Sequence, residues 1–213
     1  MAEATEELSR PKINELDKYT MFANIGTTGG KASRLAWSIR AASPRITVYT
    51  NNSTDTINYG IISAPMNPET FLIFLDLLEQ TALGANGDKH KIECYTSTRG
   101  TDGSYGERTV LSEVVFGKDE AGIVWVSVIA EGRPKIKFEF KVYDYHKIYK
   151  ADGSQMSESE TSSLQALAVI KALRSIYHDL TKEFRQNKGT NGQTPGKAVT
   201  PPPVAFDMDD IGF

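Results

Sequence analysis

One cysteine and three histidines are all that this 213-residue chain offers to thiol, disulfide or zinc chemistry. A lone thiol, Cys94, closes no internal disulfide, so no cross-linked framework is expected, and the residue fits a reducing cytoplasm. His90, His146 and His178 stand far from one another and from Cys94, without the paired spacing of a zinc site. No segment approaches the roughly 20 consecutive apolar residues that cross a bilayer. The opening MAEATEELSRPKINELDKY is polar and acid-rich, unlike a signal or transit peptide.

Catalytic signatures are missing too. There is no G-x-S-x-G elbow, no H-E-x-x-H, and no acid cluster at metal-ligand spacing. NIGTTGGKAS (24–33) falls short of a phosphate loop. Gly26 lies one position too close to Gly30-Lys31, and Ala32 stands where a magnesium-binding hydroxyl is needed. His90 lies between Lys89 and Lys91 with no orienting acid, and Cys94 sits in an apolar strand pattern as a packing residue. The expectation is a protein that is not an enzyme and uses no cofactor or metal.

What remains is an ordinary globular composition, 39% apolar and 24% charged, on a chain long enough for one domain with a tail. The net charge of −3 is unevenly placed. Residues 1–18 carry five acids and three bases, and the last seven carry three acids and no base. Between them stand 21 bases and 19 acids, a balance of +2, so an acidic chain still presents a middle suited to an anionic partner.

That middle reads as short β segments separated by turn residues: 31–42, 45–50, 57–64, 91–99, 107–116, 122–131 and 135–150. Two helices interrupt them. PETFLIFLDLLEQTAL (68–83) has proline in its first turn, Glu69 behind it and apolar residues at helical spacing. The stretch 157–186 is a longer amphipathic helix with a Ser/Thr/Glu-rich start. About seven strands with one inserted and one following helix predict a mainly β fold. An OB-like barrel of the five-stranded type is the first choice and a β-sandwich the second. The expected organisation is a polar arm at 1–18, an OB-like domain at 19–186 that includes the long helix, and a flexible linker with an acidic tip at 187–213.

Alternation sorts side chains into faces. Leu35, Trp37 and Ile39 oppose Arg34, Ala36, Ser38 and Arg40; Ile46 and Val48 oppose Arg45, Thr47 and Tyr49. Ile136, Phe138, Phe140 and Val142 oppose Lys135, Lys137, Glu139 and Lys141, and continuing the register adds Tyr143, Tyr145, Lys147 and Tyr149 to the lysine side. Trp37 and Trp125 both read as core. Tyr95 alternates with Arg99, while Tyr105 and Arg108 lie in a Gly-rich segment able to fold over a bound strand.

Tyrosines also pack in strands, and alternating lysines also form plain solvated faces. The combination of several Arg/Tyr and Lys/Tyr faces is what points to an unpaired nucleic-acid strand. Cations neutralise phosphate, and flat rings stack on any base. The candidate contacts are Arg34, Arg40, Arg45, Tyr49, Tyr95, Arg99, Lys137, Lys141, Tyr143 and Tyr145.

The chain closes on PPPVAFDMDDIGF. Phe206, Asp207, Asp209, Asp210, Ile211 and Phe213 make a short peptide ligand, with acids for a basic groove and a terminal ring for an apolar pocket. Asp209-Asp210-Ile211-Gly212-Phe213 resembles the acidic, Phe-ended tip of single-stranded DNA-binding proteins, with Gly212 where bacterial members have proline. In layout the whole chain is similar to the versions encoded by enterobacterial tailed phages.

The resemblance implies a non-enzymatic protein of the host cytoplasm that coats and protects unpaired DNA during replication, recombination or repair. It implies recruitment of polymerase or helicase-primase through the tip, self-association on DNA, and no membrane partner. It also implies a tip that competes for the protein's own basic groove, so that deleting 206–213 tightens DNA binding at low salt. Two rival readings are a strand-annealing recombination mediator and a non-DNA-binding interaction adaptor.

Overall fold

Ile, Val, Thr and aromatic residues alternating with polar ones build eight strands among the described residues of this computed structural model, and two amphipathic stretches there build helices. The described residues are 16, 18–23, 32–40, 43–99, 104–142 and 145–190, with side chains described except at 40, 98–99 and 180–190. The strands are β1 (Met21–Ala23), β2 (Ser33–Arg40), β3 (Ser43–Tyr49), β4 (Ile61–Pro65), β5 (Lys89–Arg99), β6 (Tyr105–Lys118), β7 (Val124–Ile129) and β8 (Phe138–Glu139). Helix α1 (Pro68–Leu83) follows β4, and α2 (Glu158–Thr190) follows β8.

The strands divide into two four-stranded antiparallel sheets, β1-β2-β3-β4 and β5-β6-β7-β8, each in chain order. Four strands followed by a helix thus occur twice, a repeat of layout that no repeated sequence announces. The fold is mainly β, with two helices where the sequence places them. The expected closed barrel is not formed among the described residues. No ladder joins β4 to β5; α1 lies between them in the chain and buries Phe71, Phe74, Leu75 and Leu78, while β4 meets β6 through the Ser112 hydroxyl, which donates to the Ser63 carbonyl at 2.8 Å.

One core serves both sheets and both helices. Leu35, Trp37, Ile46, Val48, Ile62 and Ala64 of the first sheet meet Val114, Phe116, Val126 and Val128 of the second. Phe74 of α1 sits between them, 6.1 Å from the Trp37 ring and edge-on to Phe116 at 5.0 Å. Helix α1 starts where the Asn67 side chain accepts the Thr70 N–H at 2.7 Å, with Pro68 next in line. Helix α2 starts with a reciprocal box in which the Ser157 N–H donates to Glu160 at 2.9 Å and the Glu160 N–H to the Ser157 hydroxyl at 3.2 Å. Arg174 of α2 then donates to both Glu79 and Asp76 of α1 at 2.5 Å, pinning the helices together.

Two expectations from alternation need correction. The segment 135–150 is expected as one strand, yet among its described residues only Phe138–Glu139 joins a sheet, against Val126 and Trp125, and Tyr149 makes an isolated bridge to Gln155. Its inward residues Ile136, Phe138 and Phe140 are buried, so the pattern does mark the core face as far as Phe140. Beyond that the partner strand β7 has run out, and no ladder carries the register on. Trp125, expected in the core, is only half-buried on the outer face. There its ring is flanked by Lys89 Nζ at 5.9 Å and Lys137 Nζ at 5.7 Å.

Candidate nucleic-acid interface

In antiparallel pairing, residues directly opposite one another share a face. The register of the first sheet sets Phe22 opposite Arg34, Arg34 opposite Tyr49, and Tyr49 opposite Ile61. A single row therefore crosses β1, β2, β3 and β4 on the side away from the core. Within it the Arg34 guanidinium lies 4.0 Å over the Tyr49 ring, and Phe22 is 55% exposed. Arg34 is exposed and has no ion pair among the described residues, so its charge is available to an anion. The row is held rigid from behind by Leu35 and Val48, and by the Trp37 indole N–H, which donates to the Tyr19 carbonyl at 2.9 Å.

The neighbouring rows are small and polar. Ala36, Thr47 and Ser63 form one, with the Thr47 and Ser63 hydroxyls 3.3 Å apart. Ser38, Arg45 and Pro65 form the next, which places half-buried Arg45 on the same face as Arg34. Arg40 ends β2 opposite Ser43, and its side chain lies outside the described residues.

At the β1 edge the row opens into a cleft of about 410 Å3, lined by Lys18, Phe22, Lys137, Glu139, Lys141 and Gln165 among others. The cleft runs between the free edges of the two sheets, β1 and β8. Two of the expected contacts, Lys137 and Lys141, thus come beside the row, although they arrive already partnered. Lys137 Nζ lies 2.5 Å from Asp119 and 3.2 Å from Glu139, and Lys141 Nζ lies 2.7 Å from Glu139. Burial pushes the Lys137 amine down, but its two carboxylate partners outweigh this and raise it. Glu139 is pushed up by burial and brought below the usual range by the lysines on either side. Two acids balance two bases there. Lys18, on the opposite wall, has no ion pair among the described residues.

The remaining expected contacts are scattered. Tyr95 belongs to the β5–β6 ladder of the second sheet, half-exposed, with its hydroxyl donating to Glu93 at 2.5 Å. Glu93 and Glu113 also hold Lys91, at 2.6 and 3.0 Å. Arg99 ends β5 opposite Tyr105, its side chain outside the described residues. Tyr143 lies outside them, as do Phe206, Asp207, Asp209, Asp210, Ile211 and Phe213 of the tip. Tyr145 is 93% exposed in a turn and does not continue a lysine face, because no strand extends that far.

Sequence reading missed Phe22 and Tyr59. Phe22 stands between buried Met21 and Ala23 in a strand of three residues, too short for alternation to register. Tyr59 is 77% exposed in the turn just before β4, in a stretch read as strand.

No protein-family model matches the chain, and neither a curated protein nor a solved structure matches it. Among the described residues no group of His, Cys, Asp and Glu is placed to hold a metal ion, and no helix is long and apolar enough to cross a membrane.

Proposed function

We propose that this protein binds unpaired DNA with little sequence preference, coating and protecting it during replication, recombination or repair without catalysing a reaction. The observation that carries the reading is the Phe22–Arg34–Tyr49 row, in which ring, cation and ring stand side by side across three strands. The exposed Phe22 ring offers a stacking surface to bases of any identity, and the Arg34 guanidinium, lying over the Tyr49 ring, offers a planar surface to a base and charge to the linking phosphates. Hydrogen-bonding groups at the centre of the sheet are taken up by their ladders, so base edges have little to read there. A closed barrel is not required, since the Phe22–Arg34–Tyr49 row on the outer face of one sheet is the platform. The cleft at the β1 edge gives a strand leaving that platform a second, lysine-bearing wall.

Lys137 and Lys141 serve this reading differently from Arg34. Each is tied to a carboxylate, so a phosphate would have to displace Glu139 or Asp119. Their contribution is the smaller one. The acidic tip, outside the described residues, would recruit polymerase or helicase-primase in the host cytoplasm, and neighbouring copies would associate on DNA.

The test is a titration of fluorescent oligo(dT), and of a duplex of equal length, into the full chain at two salt concentrations. Tight binding of oligo(dT) that weakens steeply with salt supports the reading, because each neutralised phosphate releases counterions. Equal binding of duplex would make the site a general anion surface. No binding to either would leave an adaptor acting through its tip.

A further inference from the structure

Between β3 and β4 the chain makes a turn that ordinary residues avoid. Asn58, Tyr59 and Gly60 adopt left-handed backbone angles in succession, with φ of 46°, 51° and 76°. Asparagine and glycine tolerate this region, but a bulky aromatic residue is rare there. Strain of this kind persists only where the surroundings over-determine it.

The surroundings here do. The Thr50 N–H donates to the Gly60 carbonyl at 2.8 Å, and the Thr50 hydroxyl donates to Asp55 at 2.8 Å. Asp55 is gripped by Arg133, whose Nη1 also reaches the Ile61 carbonyl at 3.3 Å. The Asn58 amide donates to that same carbonyl at 3.3 Å. A Cβ on Gly60 would meet Thr50 Oγ1 at 2.8 Å, so the turn is closed tightly as well as anchored.

All this fixes the backbone beneath a side chain that contributes nothing to the fold. Tyr59 is 77% exposed and has no hydrogen bond or ring contact among the described residues. The turn closes beside the candidate interface. Thr50 follows Tyr49, and Ile61, two residues after Tyr59, pairs with Tyr49 at the end of the row. The one acid in the turn, Asp55, is neutralised by Arg133, so the approach of a phosphate is not opposed from below.

From this geometry we propose that Tyr59 is a pre-positioned stacking residue for an unpaired nucleobase, adding to the Phe22–Arg34–Tyr49 platform at the β3–β4 turn. The inference rests on the strand-binding reading above. A ring whose backbone is already fixed loses less freedom on binding than one on a mobile loop, which favours affinity.

The experiment uses the full chain with Tyr59→Gly and Tyr59→Phe, measuring oligo(dT) affinity and melting temperature for each. Tyr59→Gly should weaken binding by about five- to 150-fold while its melting temperature stays level or rises, since glycine fits the left-handed angle. Tyr59→Phe should bind like the unaltered protein. A 5-bromodeoxyuridine oligonucleotide should photo-cross-link to residue 59. Undiminished binding by Tyr59→Gly would overturn the inference and leave the platform standing. A fall in melting temperature matching the loss of affinity would make Tyr59 a structural residue instead. If the unaltered protein binds no oligonucleotide, the strand-binding reading fails first, and this inference fails with it.

Discussion

Arg133 grips both carboxylate oxygens of Asp55 across 78 residues of chain, with Nε 2.7 Å from Oδ1 and Nη2 2.8 Å from Oδ2. Their side chains are only 5% and 2% exposed. The pair joins the β3–β4 turn of the first sheet to the β7–β8 connection of the second. It also underlies the turn that displays Tyr59. Such a fork-to-fork pair is directional, which suits it to holding a backbone shape.

Removing one partner strands a buried charge, and Arg133→Ala should therefore destabilise the protein by about 3–5 kcal/mol. Urea unfolding followed by far-UV circular dichroism measures it. A loss below about 1 kcal/mol would mean that the turn relaxes and lets water reach Asp55.

The same pair predicts a pH dependence. Burial pushes the Asp55 carboxyl up, but the hydrogen bonds from Arg133 and Thr50 outweigh it and hold the group below the usual carboxylate range. A folded-state value below the unfolded one means that the stabilisation is fully present above the ordinary aspartate value of about 3.9. It is lost as pH falls through the lower, folded value. Melting temperatures between pH 6 and 2 should show an acid limb that is shallower in Asp55→Asn than in the unaltered protein. Parallel limbs would assign acid sensitivity to other carboxylates.

At the interface, Tyr49→Ala should cost about 1–3 kcal/mol of oligo(dT) affinity with the fold intact. Arg34→Ala should weaken binding and also flatten its salt dependence, by about 0.7 in the log–log slope if one phosphate contact is lost. Lys137→Ala should do less on both measures, because that lysine is already paired with Asp119 and Glu139. Equal effects at Arg34 and Lys137 would move the centre of the site into the cleft.

Cys94 provides a test away from the interface. Burial pushes its thiol up to about 11, although the Ser112 hydroxyl beside it pulls the other way. Since the thiolate is the reactive form, native protein at pH 8 should react with a disulfide reagent orders of magnitude more slowly than unfolded chain. Rapid native labelling would show that the β5–β6 ladder opens readily.

The start of α1 offers a local check on the fold. Asn67→Ala removes the acceptor for the Thr70 N–H and should cost about 1 kcal/mol, read from the urea midpoint at unchanged slope.

How far the chain could be read depended on how far a single side chain's environment is local. PETFLIFLDLLEQTAL carries its own start signal and period, and it forms α1 at Pro68–Leu83 as expected. The split between Arg34 and Tyr49 on one face and Leu35 and Val48 on the other is a property of strand geometry, and the register bears it out. Alternation in KIKFEFKV likewise marked Ile136, Phe138 and Phe140 as inward.

Pairing across the molecule was not legible in this way. Whether strands close into a barrel depends on which edges meet, and among the described residues no ladder joins one sheet to the other. Lys137 and Lys141 look free in sequence because Asp119 is distant along the chain and Glu139 was counted only as one more residue on their face. Trp125 looks buried because aliphatic neighbours surround it in sequence, while in space it faces outward between two lysines. Local period and composition determined both helices, their start signals and the inward faces of β2, β3 and Ile136–Phe140. Tertiary contact alone decided the two-sheet architecture, the bond between Arg133 and Asp55, and the row that brings Phe22 beside Arg34 and Tyr49, because each joins residues that no local pattern relates.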